Sequence, residues 1–143
     1  MTKRNATATW QGSLNEGGGS VALGDGVLEA PISRASRFEE GDGTNPDQLL
    51  AGALAGCFTM AFAFILGEAD TPPDSLETKA DVTLRQADDG ITITRIDMTV
   101  RGRVPGIDQD RFVEHANVAK AGCAVSKALG AVEEITLDAQ LAD

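Results

Sequence analysis

The chain has 143 residues, 42% apolar and 24% charged, the balance of one ordinary globular domain able to bury a core without a disulfide framework or structural metal. Its 12 Lys and Arg face 22 Asp and Glu, for a net charge of −10. Such a field repels phosphate backbones and anionic lipid, which argues against nucleic acid and membrane surfaces as partners. Residues 1–10 carry Lys3 and Arg4 with no apolar run behind them, so no signal peptide is expected and the expected location is cytoplasmic.

Residues 5–11 alternate weakly and read as a strand, and Gly17-Gly18-Gly19 reads as a flexible turn. Residues 21–23 and 27–29 read as a hairpin closed by Gly24-Asp25-Gly26. Residues 31–44 are polar and read as a loop. A helix start follows, with Asn45 as N-cap, Pro46 at the first helical position and Asp47 near the positive end of the dipole. That helix is expected to reach about Gly67, with a short second piece at residues 68–69 before Pro72-Pro73. Residues 78–86 and 91–104 alternate as strands around Asp88-Asp89-Gly90, and the phase change between Ile93 and Ile96 predicts a bulge near Thr94-Arg95. Phe112, Ala116 and Ala119 mark a helix over residues 108–121, interrupted at Gly122-Cys123 and followed by a short helix over 124–129. Residues 134–141 close as a strand with Ile135, Leu137, Ala139 and Leu141 on one face. The order of elements indicates an α+β fold, mostly antiparallel, in a single domain spanning 1–143.

From Leu49 to Gly67 no residue is charged, a length that suits a membrane span, and Gly52-x-x-x-Gly56 resembles a membrane dimerisation motif. The flanks argue otherwise: Asp42, Asp47, Glu68 and Asp70 are acidic, and neither end has Trp or Tyr. A helix apolar on all sides is otherwise buried on all sides, and a chain this short can hardly wrap it alone. A dimer that shares the helix is the better reading.

Chemistry has few candidate residues. Cys57 and Cys123 are too far apart for a Cys-x-x-Cys motif, and with His115, the single histidine, they make a poor zinc set. His115 lacks a Gly-x-Ser-x-Gly elbow to serve a triad and reads as a surface or packing residue. Trp10, Phe58, Phe62 and Phe64 read as core, although some of the phenylalanines could line an apolar pocket beside Cys57. On the helix alone, Cys57 reads first as a small buried hydrophobe, as most free cysteines are, with a working thiol as the alternative.

The segments Arg37-Phe38-Glu39, Gly43-Thr44-Asn45-Pro46-Asp47-Gln48-Leu49-Leu50, Ala55-Gly56-Cys57-Phe58 and Ala121-Gly122-Cys123-Ala124-Val125-Ser126-Lys127-Ala128-Leu129 bear on that choice. Together with Val104-Pro105-Gly106-Ile107-Asp108, they resemble the OsmC/Ohr family of osmotically inducible and organic hydroperoxide resistance proteins, the OsmC branch in particular. The resemblance covers nearly the whole chain. It implies an intertwined homodimer with mostly antiparallel sheets around long apolar central helices. The implied activity is a thiol peroxidase acting on organic hydroperoxides without metal, haem or flavin. A small dithiol or lipoyl-type compound is the implied reductant. By position, Cys57 is similar to the peroxidatic cysteine, Cys123 to the resolving cysteine and Arg37 to the arginine that supports the thiolate. Asp47 stands where the family usually has glutamate, Ala124 where it usually has proline, and Leu54 where OsmC members often have histidine.

The chemistry itself demands a thiolate, which attacks the peroxide O–O bond where a thiol does not. A cysteine in mid-helix has no helix N-terminus available to favour ionisation, and a charge of −10 opposes it. A positioned cation is therefore expected, with Arg37 as the candidate and Asp47 as the carboxylate that aims it. Plainer roles stay open, Arg37 as a solvated loop charge and Asp47 as a helix-start residue. In the peroxidase reading the Cys57 sulfenic acid condenses with Cys123, whose Gly122 neighbour would leave its sulfur mobile. A different class of function, a non-catalytic dimeric stress or binding protein with an apolar cavity, fits the same composition. A small membrane-associated protein is the weaker third reading.

Overall fold

The computed structural model describes residues 1–142, which group into two compact units, one ending at Leu49 and one starting at Leu50. In the first unit, β1 (Ala6–Gln11), β2 (Gly18–Leu23) and β3 (Leu28–Ile32) form an antiparallel sheet in that order. The glycine run is thus mostly strand, not turn. At Gly19 a Cβ would fall 1.9 Å from the Thr9 carbonyl oxygen, so only glycine fits this pairing. Trp10 is 38% exposed rather than core, and its indole N–H donates to the Gly12 carbonyl.

The polar stretch 31–44 is also more ordered than its composition suggests. It holds a short helix, α1 (Arg34–Phe38), closed by a capping box in which Ser33 and Ser36 bond each other's backbone N–H. Ser36 is buried because its hydroxyl reaches the Thr44 carbonyl, and the Asn45 amide donates to the Ser36 carbonyl. Asn45 turns its other side-chain atom to the N–H of Gln48 at 2.8 Å, capping α2 (Pro46–Glu68) with Pro46 as the first helical residue. The helix is continuous through Glu68, with no separate second piece.

In the second unit, β4 (Ser75–Ala87) and β5 (Gly90–Arg103) form a long antiparallel hairpin, and β6 (Glu134–Leu141) lies parallel on the other edge of β5. Thr83 faces Arg95 while Leu84 faces Ile93, so Thr94 is the extra residue of a bulge. That bulge rephases β5 and sends Ile96, Met98 and Val100 to the buried face. The parallel β5–β6 pairing requires a crossover, which α3 (Gln109–Gly122) and α4 (Ala124–Ala128) supply.

Phe112, Ala116 and Ala119 of α3 pack inward as their spacing predicts. Gly102 sits under α3, where a Cβ would lie 2.7 Å from both Leu76 and Phe112, so glycine lets the helix close on the sheet. From α2 the buried residues are Leu54, Phe58, Phe62 and Leu66, every fourth residue and therefore one face. The Phe62 ring lies 4.9 Å from Phe112 and 5.6 Å from Phe58. Phe64 is not part of this core: it is 66% exposed, and Met60 is 76% exposed. Length and composition would let α2 cross a membrane. In the protomer it is buried along a single stripe.

Candidate active site

Cys57 projects from α2 half-buried, between the core residues Leu54 and Phe58 in sequence and packed against the hydrophobic cluster. Cys123 arrives from the crossover. Asp108 caps α3 by accepting the Arg111 N–H at 2.9 Å, and the inward residues Phe112, Ala116 and Ala119 lead to Cys123 on the same line. At Cys123 the backbone leaves the helix (φ −64°, ψ 122°), and α4 restarts one residue later. The cysteine is the N-cap of α4, with its Sγ accepting the Ser126 N–H at 3.5 Å. It is 1% exposed. A mobile sulfur beside Gly122 is not what the fold builds; the thiol is buried and held.

The restart of the chain at α4 sets the electrostatics of the pair. The Val125 N–H, hydrogen-bonded to Cys57, is the main influence holding its thiol below the usual range. Burial opposes this, while the Cys123 thiol and the Ala124 N–H add to it. Cys123 is pushed the other way, chiefly by burial, and Cys57 beside it reinforces the rise. The pair therefore gives up its first proton from Cys57. This corrects the expectation that a mid-helix cysteine lacks a helix end. Its own helix offers none, but a second helix points backbone donors at it. The signal in the sequence was the helix break at Gly122-Cys123 followed by Ala124, which, unlike proline, has an N–H to give.

Arg37 and Asp47 form the other pair. Arg37 stands on α1, not in a loop, and its guanidinium clasps the Asp47 carboxylate through Nε at 3.2 Å and an Nη at 3.3 Å. The capping box and the buried Ser36–Asn45 bridge hold the two backbones at that spacing. Their side chains are 30% and 12% exposed, and the guanidinium also lies 5.4 Å from the Phe38 ring centroid. Leu54 is fully buried and needs no polar partner. His115 lines a cavity of about 170 Å³ with Arg111, Thr71 and Ile107. Among the described residues, no three His, Cys, Asp or Glu converge as a metal site would require.

Residues 39–138 match the family model for OsmC-like proteins. The chain is 45% identical over 139 residues to peroxiredoxin OsmC of Escherichia coli, covering 96% of both sequences. It is 30% identical over 122 residues to organic hydroperoxide resistance protein OhrB of Bacillus subtilis, covering 84% of this chain and 88% of that one. The crystal structure of that OhrB superposes with a TM-score of 0.68 at 26% identity, over 96% of this chain and 98% of the other. An OsmC-like protein from Mycoplasma pneumoniae reaches 0.79 at 17% identity over 99% of each chain, a likeness of fold. With its two cysteines on a long apolar helix and a crossover helix break, and with these matches along nearly its whole length, the chain belongs to the OsmC-like protein family.

Proposed function

We propose that this chain is a cysteine-based peroxidase that reduces organic hydroperoxides, and hydrogen peroxide less well. The observation that carries the reading is the pairing of Cys57 with Cys123 under the Val125 N–H, which favours the thiolate on Cys57 and keeps a second thiol beside it. Kinship with proteins named for peroxiredoxin activity and hydroperoxide resistance supports it. The Cys57 thiolate attacks one peroxide oxygen, the O–O bond breaks, and the other oxygen leaves as the alcohol after taking a proton. Cys57 is then a sulfenic acid. Cys123 condenses with it, releasing water and forming the Cys57–Cys123 disulfide. A small dithiol or lipoyl-type reductant restores both thiols.

Arg37, aimed by Asp47, serves as the cation that steadies the thiolate and the departing oxygen. The working unit is an intertwined homodimer of one OsmC-like domain per chain, acting in the cytoplasm. The apolar residues Met60 and Phe64, exposed in the protomer, support a partner along α2. The test is cumene hydroperoxide consumption with dithiothreitol. With dithiothreitol, Cys57→Ser should fall to the uncatalysed rate; given one equivalent of peroxide and no dithiothreitol, Cys123→Ser should react once and accumulate a dimedone-reactive sulfenic acid on Cys57. Turnover by Cys57→Ser would overturn the reading.

A further inference from the structure

The two sulfurs differ in surroundings, and that difference bears on how the oxidised protein is reduced. A thiolate displaces a disulfide sulfur along the line of the S–S bond, from the side opposite the leaving sulfur. The attacked sulfur therefore needs an open approach on its far side. Cys123 offers none. It is 1% exposed, it belongs to the same cluster as Phe112 and Ala119, and the Ser126 N–H points at its sulfur. Cys57 is only half-buried. We infer that the reductant attacks the Cys57 sulfur of the Cys57–Cys123 disulfide, forming the mixed disulfide on Cys57 and expelling Cys123. The inference rests on the disulfide cycle proposed above.

Leaving-group chemistry alone points the other way. Cys57, held below the ordinary thiol range, is the better leaving group, which would favour attack on Cys123. Access decides between them. A better leaving group accelerates displacement by a graded factor, but a sulfur without an approach reacts only when the structure opens locally. The Ser126 N–H also compensates for the poorer leaving group by lying on the sulfur that takes up the electron pair.

The remaining step balances the cycle. The reductant thiolate bonds to Cys57 Sγ, the S–S bond breaks, and Cys123 departs as a thiolate that takes a proton. The second thiol of the same dithiol attacks the reductant's own sulfur in the mixed disulfide. Cys57 then leaves as the thiolate that the Val125 N–H favours. Two electrons pass from the dithiol, which becomes a disulfide, to the protein. The arrangement gives the difficult departure to the first attack and the easy one to the ring-closing second, so it suits a dithiol better than a monothiol.

The experiment oxidises the full chain with one equivalent of cumene hydroperoxide and counts thiols. It then adds 2-mercaptoethanol, a monothiol that cannot close a ring. Samples quenched in acid over the first seconds are alkylated with N-ethylmaleimide and cut with trypsin, which puts Cys57 in residues 38–79 and Cys123 in residues 121–127. Early mixed disulfide should lie on Cys57, with N-ethylmaleimide on Cys123, in at least about tenfold excess over the reverse. Adducts on Cys123, or an even division, would overturn the inference while leaving the peroxidase reading intact. Peroxide treatment that forms no Cys57–Cys123 disulfide would overturn both.

Discussion

Ala124 acts through its backbone. Its side chain is a methyl group, but its N–H reaches the Cys57 thiolate as the weakest of three favourable influences. Proline can replace it without harm to the helix, because this is the first helical position and Cys123 before it already has extended geometry (φ −64°, ψ 122°). Ala124→Pro therefore removes one donor to the charged form and raises the Cys57 pKa. The pH midpoint of iodoacetamide labelling at Cys57 should move up, with slower reaction at pH 7 and the same plateau at high pH. The melting temperature should stay within about 2 °C of wild type; an unmoved midpoint would count against the amide's role. Arg37→Ala probes the other pair. Loss of a charge-assisted contact of about 1.5–3 kcal/mol slows peroxide attack at pH 7 by roughly ten- to a hundredfold. The Cys57–Cys123 disulfide should still form at long times, and stopped-flow kinetics with far-UV circular dichroism would separate a slowed reaction from a damaged fold.

At the scale of elements, α2 poses a question of reach. Asp47 and Cys57 are ten positions apart on one continuous helix, about 15 Å along its axis. We expect the Arg37–Asp47 pair to serve Cys57 of the other subunit. Two copies of α2 crossing antiparallel at Gly52 would set each Asp47 against the partner's Cys57. A Cβ added at Gly52 or Gly56 would meet nothing within 4 Å among the described residues, so this face is free for a close helix crossing. Mixed dimers of Asp47→Ala chains with Cys57→Ser chains decide it. Each such dimer keeps one site pairing Cys57 with a partner's intact Asp47, and it should retain about half the wild-type activity. Activity at the level of the Asp47→Ala homodimer would mean support within one chain.

For the whole molecule, the burial of α2 is the governing fact. Its most apolar stretch has a mean hydropathy of 2.2, yet only 22% of that stretch is buried within the chain. Exposed apolar surface on this scale calls for a partner, and the net charge of −10 favours a second apolar helix over an anionic membrane. Phe64→Glu should therefore weaken dimerisation by about 2 kcal/mol or more, roughly thirtyfold, by placing a carboxylate in the shared face. Sedimentation velocity across a dilution series should show a monomer with unchanged far-UV circular dichroism. A variant that stays dimeric at the same concentrations would remove Phe64 from the interface.

What could be read from the residues alone followed from local rules. Asn45-Pro46-Asp47 starts a helix because Asn45 satisfies a first-turn donor, Pro46 omits one and Asp47 suits the positive end of the dipole. The phase change between Ile93 and Ile96 marks a bulge because side chains alternate along a strand. Phe112, Ala116 and Ala119 lie inward because of helical periodicity. Both cysteines, Arg37 and Asp47 were identified as candidates by their motifs. Tertiary structure decided what depends on groups distant in sequence. It made a strand of Gly18-Gly19 because a close neighbour excludes a Cβ, and it folded residues 34–38 as a helix because Ser36 finds the Thr44 carbonyl. It also brings the Val125 and Ala124 N–H groups of α4, far along the chain, to the Cys57 thiol, and backbone amides leave no trace in residue identity.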